Sequence, residues 1–301
     1  ALRVENGCTA DVADATVAAI ERDRFSVYVP RTIGAATKAM LAMPRPLADR
    51  VRALAWRTRT RRLPAPDVVL VHGAGAWRIH ADLADRLPPG HRLVVHLHEL
   101  DEALARCIPA DRRADFLGTA DAVLAVCTPV ADLAVAAGAR PASVSVATVA
   151  ADDAPVAAAG PASPRRPAVV SIGAPGWRKG TDRALAVAHE LRRTHPEVRC
   201  SWVGGEPAPA ERFAVGSSLP LAFHPSTSTP WQAAGPGTVL LVPSREDPFP
   251  LVVLEAGARG LPVVAAATGG LPELLGHGRG WVVPGHDLAA LGAEVRIGEV
   301  Q

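Results

Sequence analysis

Pro243-Ser-Arg-Glu-Asp-Pro-Phe-Pro-Leu-Val-Val-Leu-Glu-Ala-Gly257, running on to Gly260-Leu-Pro-Val-Val264, decides the fold. An apolar run over 238–242 ends just before it, and a polar loop follows. A helix opens at about Pro250, where a proline's missing N–H would have no helical partner in any case. A second apolar run then fills 262–266. Strand, loop, helix and strand in this order make a βαβ unit, the building block of a parallel sheet. The amides of Leu251 and Val252 open the helix and offer a natural seat for a phosphate. Asp247 lies before the helix and Glu255 inside it, about 12 Å along the axis and about 80° around it. Two carboxylates so placed cannot share one proton or one metal ion, but they can hold opposite ends of an extended polar ligand. The same residues also suit a structural role, with Asp247 capping the helix N-terminus and Glu255 on the surface.

The same alternation recurs on both sides of this stretch. Apolar runs at 67–71, 93–98, 122–126 and 144–148 alternate with helical stretches at 77–87, 102–118 and 129–137, and 25–29 adds a further strand. A second series has strands at 168–172, 199–203, 220–224 and 281–283, with helices at 181–194, 250–259 and 286–296. Short apolar runs without polar alternation suit strands covered on both faces. Between the series, the Ala-, Pro- and Gly-rich segment loses all periodicity and reads as a linker. The expected organisation is an N-terminal Rossmann-like domain over 1–150, a linker over 151–167 and a C-terminal Rossmann-like domain over 168–301. In such sheets ligands bind beyond the carboxyl ends of the strands, so the loops after each strand carry the chemistry.

Composition narrows the function. The 301 residues are 49% hydrophobic and 21% charged, as in ordinary globular proteins, and length alone suggests two domains. A net charge of +2 gives no bulk-charge argument for nucleic-acid binding. No apolar stretch is long enough for a membrane span, and the opening Ala-Leu-Arg-Val-Glu-Asn-Gly does not read as a signal peptide, so the expectation is a cytoplasmic protein. The four cysteines are scattered, with no metal-ligand spacing and no disulfide pattern. Only Lys38 and Lys179 among the 32 basic residues are lysines, and a lysine in such a chain marks a place for a compact, strongly hydrated charge.

The stretch from Pro243 to Gly257 resembles the donor-binding motif of retaining GT-B glycosyltransferases, in particular glycosyltransferase family 4 (glycosyl transferases group 1). That family spaces two acidic residues with seven between them; here they fall on Asp247 and Glu255, with Asp in place of the usual first Glu, and Glu246 lies one position too early. The resemblance implies that Glu255 binds the nucleotide ribose. Asp247, with Phe249, Pro250 and the amides of Leu251 and Val252, is implied to bind the donor sugar. A second resemblance lies in Ser171-Ile-Gly-Ala-Pro-Gly-Trp-Arg-Lys-Gly-Thr-Asp182, where Gly173 and Lys179-Gly180 match the family's diphosphate loop. The family's earlier Arg falls on Ala174, and Arg178 is the candidate substitute. As an ordinary loop, the same stretch would simply carry solvated Arg178 and Lys179. Thr268-Gly-Gly-Leu-Pro-Glu273 resembles the family's Gly-Gly turn, which implies a donor-binding role for Gly269 and Gly270. The region around Phe223-His-Pro-Ser226 matches the family's nucleobase contact.

In the first half, His96-Leu-His-Glu99 resembles the family's His-Glu loop, whose His reaches the donor sugar and acceptor; that role falls on His98. His96 is assigned to the opposite face and the core. Ala120-Asp-Ala-Val-Leu-Ala-Val-Cys-Thr128 resembles a family strand, with Cys127 expected to be a small buried side chain. The implied fold is α/β, with two Rossmann-like domains facing across a cleft and a divergent or incomplete N-terminal domain. The implied activity is transfer of a sugar from a nucleotide-diphosphate sugar to an acceptor (a glycan, a lipid-linked molecule or a small molecule) with retention of configuration. No cofactor or metal is implied, since Arg178, Lys179 and helix N-termini take a metal's place. The arginine-rich segment 45–62, with seven arginines and one aspartate, reads as a domain helix or as a peripheral membrane contact. Two other activities fit the same residues: a non-catalytic nucleotide-sugar-binding subunit, and an epimerase or phosphorylase on the same architecture.

Overall fold

The computed structural model of the chain describes residues 68–83, 87, 89–148, 168–206, 220–235, 237–276, 278–284, 287 and 290–292. The expected strand at 25–29, the segment 45–62, the linker 151–167 and most of the expected helix at 286–296 lie outside the described residues. The chain divides into two compact units, 1–125 with 131–147, and 126–130 with 148–301. No helix among the described residues is long and apolar enough to cross a membrane.

In the first half the elements run β1 (Val68–His72), α1 (Trp77–Leu83), β2 (Arg92–Leu97), α2 (Asp101–Cys107), α3 (Ala110–Thr119), β3 (Ala122–Ala125), α4 (Thr128–Ala136) and β4 (Val144–Val146). The four strands are parallel in the order β1-β2-β3-β4. Leu93, Val94, Val95 and Leu97 of β2 are all buried, as expected of a strand covered on both faces. The single helix expected over 102–118 is two helices. Pro109 forces the residue before it out of the helical region, and Ile108 is extended at φ −116°, ψ 121°.

The second half runs β5 (Ala168–Ile172), α5 (Thr181–Thr194), β6 (Arg199–Val203), β7 (Leu221–His224), β8 (Thr238–Val242), α6 (Leu251–Ala258), β9 (Val263–Ala266), α7 (Leu271–Leu275) and β10 (Trp281–Val283). All six strands are parallel, in the order β10-β9-β8-β5-β6-β7. Read from β7, this is the doubly wound order, with the winding direction reversing between β5 and β8. Two apolar layers form on the two faces. Val169, Val239, Leu241 and Val264 pack with Leu185, Ala188 and Leu191 of α5. Their neighbours Val170, Leu240, Val242, Val263 and Ala265 pack with Val253 and Ala256 of α6 and Leu271 of α7. Strand side chains alternate faces, so a strand with a layer on each side must be apolar throughout. Each fully buried Val or Leu contributes about 1.5–3 kcal/mol of transfer free energy.

Candidate active site

The reversal between β5 and β8 opens a crevice at the carboxyl ends of those strands, and the loops 173–180 and 243–250 meet there. Gly180 makes the meeting possible. Its φ of 73° is left-handed, and a Cβ built on it would stand 2.1 Å from the carbonyl oxygen of Pro243. Backbone bonds tie the loops directly: the amide of Arg245 donates to the Arg178 carbonyl at 2.9 Å, and Arg178 Nη1 donates to the Glu246 carbonyl at 2.9 Å. The Arg178 guanidinium therefore braces the acidic loop.

Lys179 and Asp247 come together across this junction. Lys179 Nζ lies 2.7 Å from Asp247 Oδ2, which also accepts the Ser244 hydroxyl at 3.0 Å. Asp247 is buried at 4% exposure, so its charge is held by a partnered cation and a hydroxyl rather than by water. It does not cap α6: the N-cap position is Pro250, and no side-chain bond caps that end. The helix begins at Leu251, one residue later than expected. The amide of Val253 is taken by the Pro250 carbonyl at 3.0 Å, while those of Leu251 and Val252 belong to the first turn, which has no helical acceptors. Ser171, Ile172, Lys179, Asp247 and Val252 line one small recess at this point. Gly173, with φ 138°, places the Lys179 Cε 3.8 Å from where its own Cβ would stand. Phe249 is half-buried and Pro250 buried.

A third loop joins the pair. The Gly270 amide donates to the Pro248 carbonyl at 2.8 Å, and a Cβ there would meet that oxygen at 2.4 Å. Gly269 takes φ 51°, and Thr268 Oγ1 donates to the Arg245 carbonyl at 2.8 Å. Ala174, where the family pattern has its Arg, is exposed. The cation that dominates the loop junction is Arg245, which sequence reading passed over. Its guanidinium forks onto Asp182 at 2.7 and 2.5 Å and lies 5.0 Å over the Trp177 ring. The Arg245 guanidinium holds the Asp182 carboxyl below its usual range, against a smaller opposing effect of burial.

Glu255 stands apart from the Lys179–Asp247 pair and has its own partner. Its Oε2 accepts the Trp231 indole N–H at 2.5 Å, and Arg259 lies 4.8 Å over the same indole ring. Trp231 sits on a short 3-10 turn, Pro230–Ala233, after β7. Sequence reading missed it, because 24 residues separate it from Glu255 and no periodicity links a turn to a helix. The expected base-contact region lies at the end of β7. Phe223 there packs on the core, while the carbonyl of exposed His224 accepts the Gly204 and Gly205 amides.

His98 lies in the first unit, on the loop just after β2. The expectation that His96 faces away from it fails. Residues two apart on a strand share a face, and the two rings lie 4.1 Å apart, with His72 at 5.1 Å from His96 and 4.3 Å from His98. Burial, then the neighbouring His98 and His72, push His96 down to about 4, while a backbone hydrogen bond at Ala147 opposes the shift. Burial also lowers His98, with Glu99 working the other way. Cys127 is fully buried as expected, and burial pushes its thiol up to about 11.

Comparisons with known proteins bear on the same region. Residues 166–297 match the family model of glycosyl transferases group 1. Sulfoquinovosyl transferase SQD2 of Arabidopsis thaliana is 32% identical over 114 residues, covering 37% of this chain and 22% of that protein. A GDP-mannose-dependent alpha-(1-6)-phosphatidylinositol monomannoside mannosyltransferase of Mycolicibacterium smegmatis is 34% identical over 141 residues, 42% of this chain and 37% of its own. D-inositol 3-phosphate glycosyltransferase of Streptomyces avermitilis is 48% identical over 132 residues, 38% and 27% respectively. The chain thus spans well under half the length of these relatives. Among solved structures, Anabaena HepE in complex with UDP-glucose superposes with a TM-score of 0.60 at 21% identity, over 76% of this chain and 68% of that one. A trehalose 6-phosphate synthase from Burkholderia multivorans gives 0.63 at 14% identity, over 82% and 66%. At these identities the likeness is one of fold. Residues 166–297 are accordingly similar to glycosyl transferases group 1, and the described residues share the α/β fold of these GT-B structures.

Proposed function

We propose that this chain transfers a sugar from a nucleotide-diphosphate sugar to an acceptor with retention of anomeric configuration. The observation that carries the reading is the Lys179–Asp247 pair, 2.7 Å apart, at the point where the sheet reverses its winding and α6 opens. That is where a doubly wound sheet binds nucleotides, and the first-turn amides there suit a phosphate. The group 1 match over the same residues supports it.

In this reading Lys179 and the amides of Leu251 and Val252 receive the negative charge that builds on the departing diphosphate. Fixed charges already in position need no reorganisation as the bond breaks. Glu255, held by Trp231, takes the ribose hydroxyls. Asp247, with the Gly269–Gly270 turn, faces the donor sugar, and Arg178 keeps the acidic loop in place. The resemblance assigns His98 a role toward the donor sugar and acceptor. The positive charge supplied by Lys179 stands in for a metal ion, so the transfer step is proposed to need none.

The test is transfer from a panel of nucleotide sugars, with product configuration read by NMR in the presence of a chelator. A product of retained configuration, formed undiminished without metal, is expected. Lys179→Ala is expected to lower turnover about 10²–10³-fold, as loss of one preorganised charge donor does elsewhere. An inverted product, or unchanged turnover in Lys179→Ala, would contradict the assignment.

A further inference from the structure

We propose that His72, His96 and His98 form a binding site on the first unit for a transition-metal dication of the Zn²⁺ class. Two features of the chain bring the three side chains together. The parallel register of β1 and β2 sets His72 opposite His96. His98 follows two residues later, on the same face. One ring nitrogen of each comes within 4.8 Å of the others. Tetrahedral coordination at 2.0–2.1 Å from the metal would hold ligand nitrogens about 3.4 Å apart, which small rotations of the three rings can supply.

The hydrogen bonding points to a missing partner. Nε2 of His96 and Nε2 of His98 are both buried with no hydrogen-bond partner. Stacking three imidazoles for packing alone would leave those nitrogens unsatisfied, which folded proteins generally avoid. His96 has a backbone hydrogen-bonding neighbour at Ala147, while its Nε2 has no partner and remains for a ligand bond. A metal-bound histidine commonly has its second nitrogen fixed by a hydrogen bond. The Glu99 carboxylate accepts the His98 amide at 3.0 Å and reaches within 3.0 Å of the Cβ position of Gly73, next to His72. It supplies negative charge beside a dication. His72 is exposed while the other two are half-buried, so the site has an open side for entry.

The donor set also selects the ion. Three neutral imidazoles suit Zn²⁺, Cu²⁺, Ni²⁺ or Fe²⁺, whereas Mg²⁺ and Ca²⁺ require oxygen ligands. The site shares His98 with the transfer reading but does not rest on it, and its test needs no turnover.

The experiment uses the untagged full chain, stripped with a chelator and titrated with Zn²⁺, Co²⁺ and Mg²⁺ by calorimetry and visible absorption. The expected result is a Zn²⁺ equivalent that raises the melting temperature, a tetrahedral Co²⁺ spectrum, and no response to Mg²⁺. His72→Ala, at an exposed position that leaves the fold intact, is expected to weaken Zn²⁺ more than about 100-fold, beyond the loss from an outer-shell partner. His96→Gln, checked by its melting curve, is the second variant and is expected to do the same. Absence of Zn²⁺ binding in the natural sequence, or equal binding in both variants, would overturn the proposal.

Discussion

Asp247 occupies the place where the family pattern has a longer acid, and the structure gives its short carboxylate two near partners, Lys179 at 2.7 Å and Ser244 at 3.0 Å. Spacing alone could not join Lys179 to Asp247, because 68 residues lie between them. Only the resemblance grouped them in the sequence, and their contact is a tertiary fact. Gly180 is the residue on which the contact depends. Gly180→Ala adds a Cβ 2.1 Å from the Pro243 oxygen in a left-handed backbone. It is expected to destabilise the protein by roughly 2–4 kcal/mol, measured by chemical denaturation; an unchanged midpoint would refute the packing. Asp182 carries a pH signature. Its folded pKa is depressed, chiefly by Arg245, so its contribution is present above the unfolded value near 4 and is lost as pH falls through the lower folded value. The difference in melting temperature between the natural protein and Asp182→Asn should therefore hold from about pH 5 upward and shrink below about pH 4. A difference that grows in acid would contradict the pairing.

At the level of elements, the apolar runs were plainly legible. Thr238–Val242 is buried along its whole length, and an unbroken apolar run of that length has little choice but a doubly covered strand. The helix expected over 102–118 ran past Pro109, whose constraint on Ile108 splits it into α2 and α3. Trp231 shows what the sequence could not convey. A 3-10 turn has no period to detect, and its indole reaches Glu255 because the crossover from β7 to β8 carries Trp231 onto the face of the sheet that α6 covers. Trp231→Phe keeps the ring beneath Arg259 and removes the N–H donor. A hydrogen bond to a charged group is worth about 1.5–3 kcal/mol, so nucleotide affinity should fall at least about tenfold. Combined with Glu255→Gln, the two losses should fall short of additive. Full additivity would mean that the indole acts elsewhere.

Across the whole molecule, the decisive feature is where the sheet order turns. Six parallel strands with the reversal between β5 and β8 place the loops after β5, β8 and β9 together, and every backbone tie among residues 173–180, 243–250 and 268–270 follows from that order. The alternation of strands and helices predicted a parallel α/β fold, but strand order is set by crossovers that leave no mark in local pattern. For the same reason the face shared by His72, His96 and His98 emerged only from the pairing of β1 with β2. The central claim is that the β5–β8 crevice binds a nucleoside diphosphate through Lys179. Calorimetric titration of the full chain with UDP, GDP, ADP and dTDP, with and without Mg²⁺, tests it most directly. One of these should bind equally well without Mg²⁺ and at least about tenfold more weakly to Lys179→Ala, since charge-assisted bonds are the strong ones. Failure of all four to bind, or an affinity indifferent to Lys179→Ala, would contradict it.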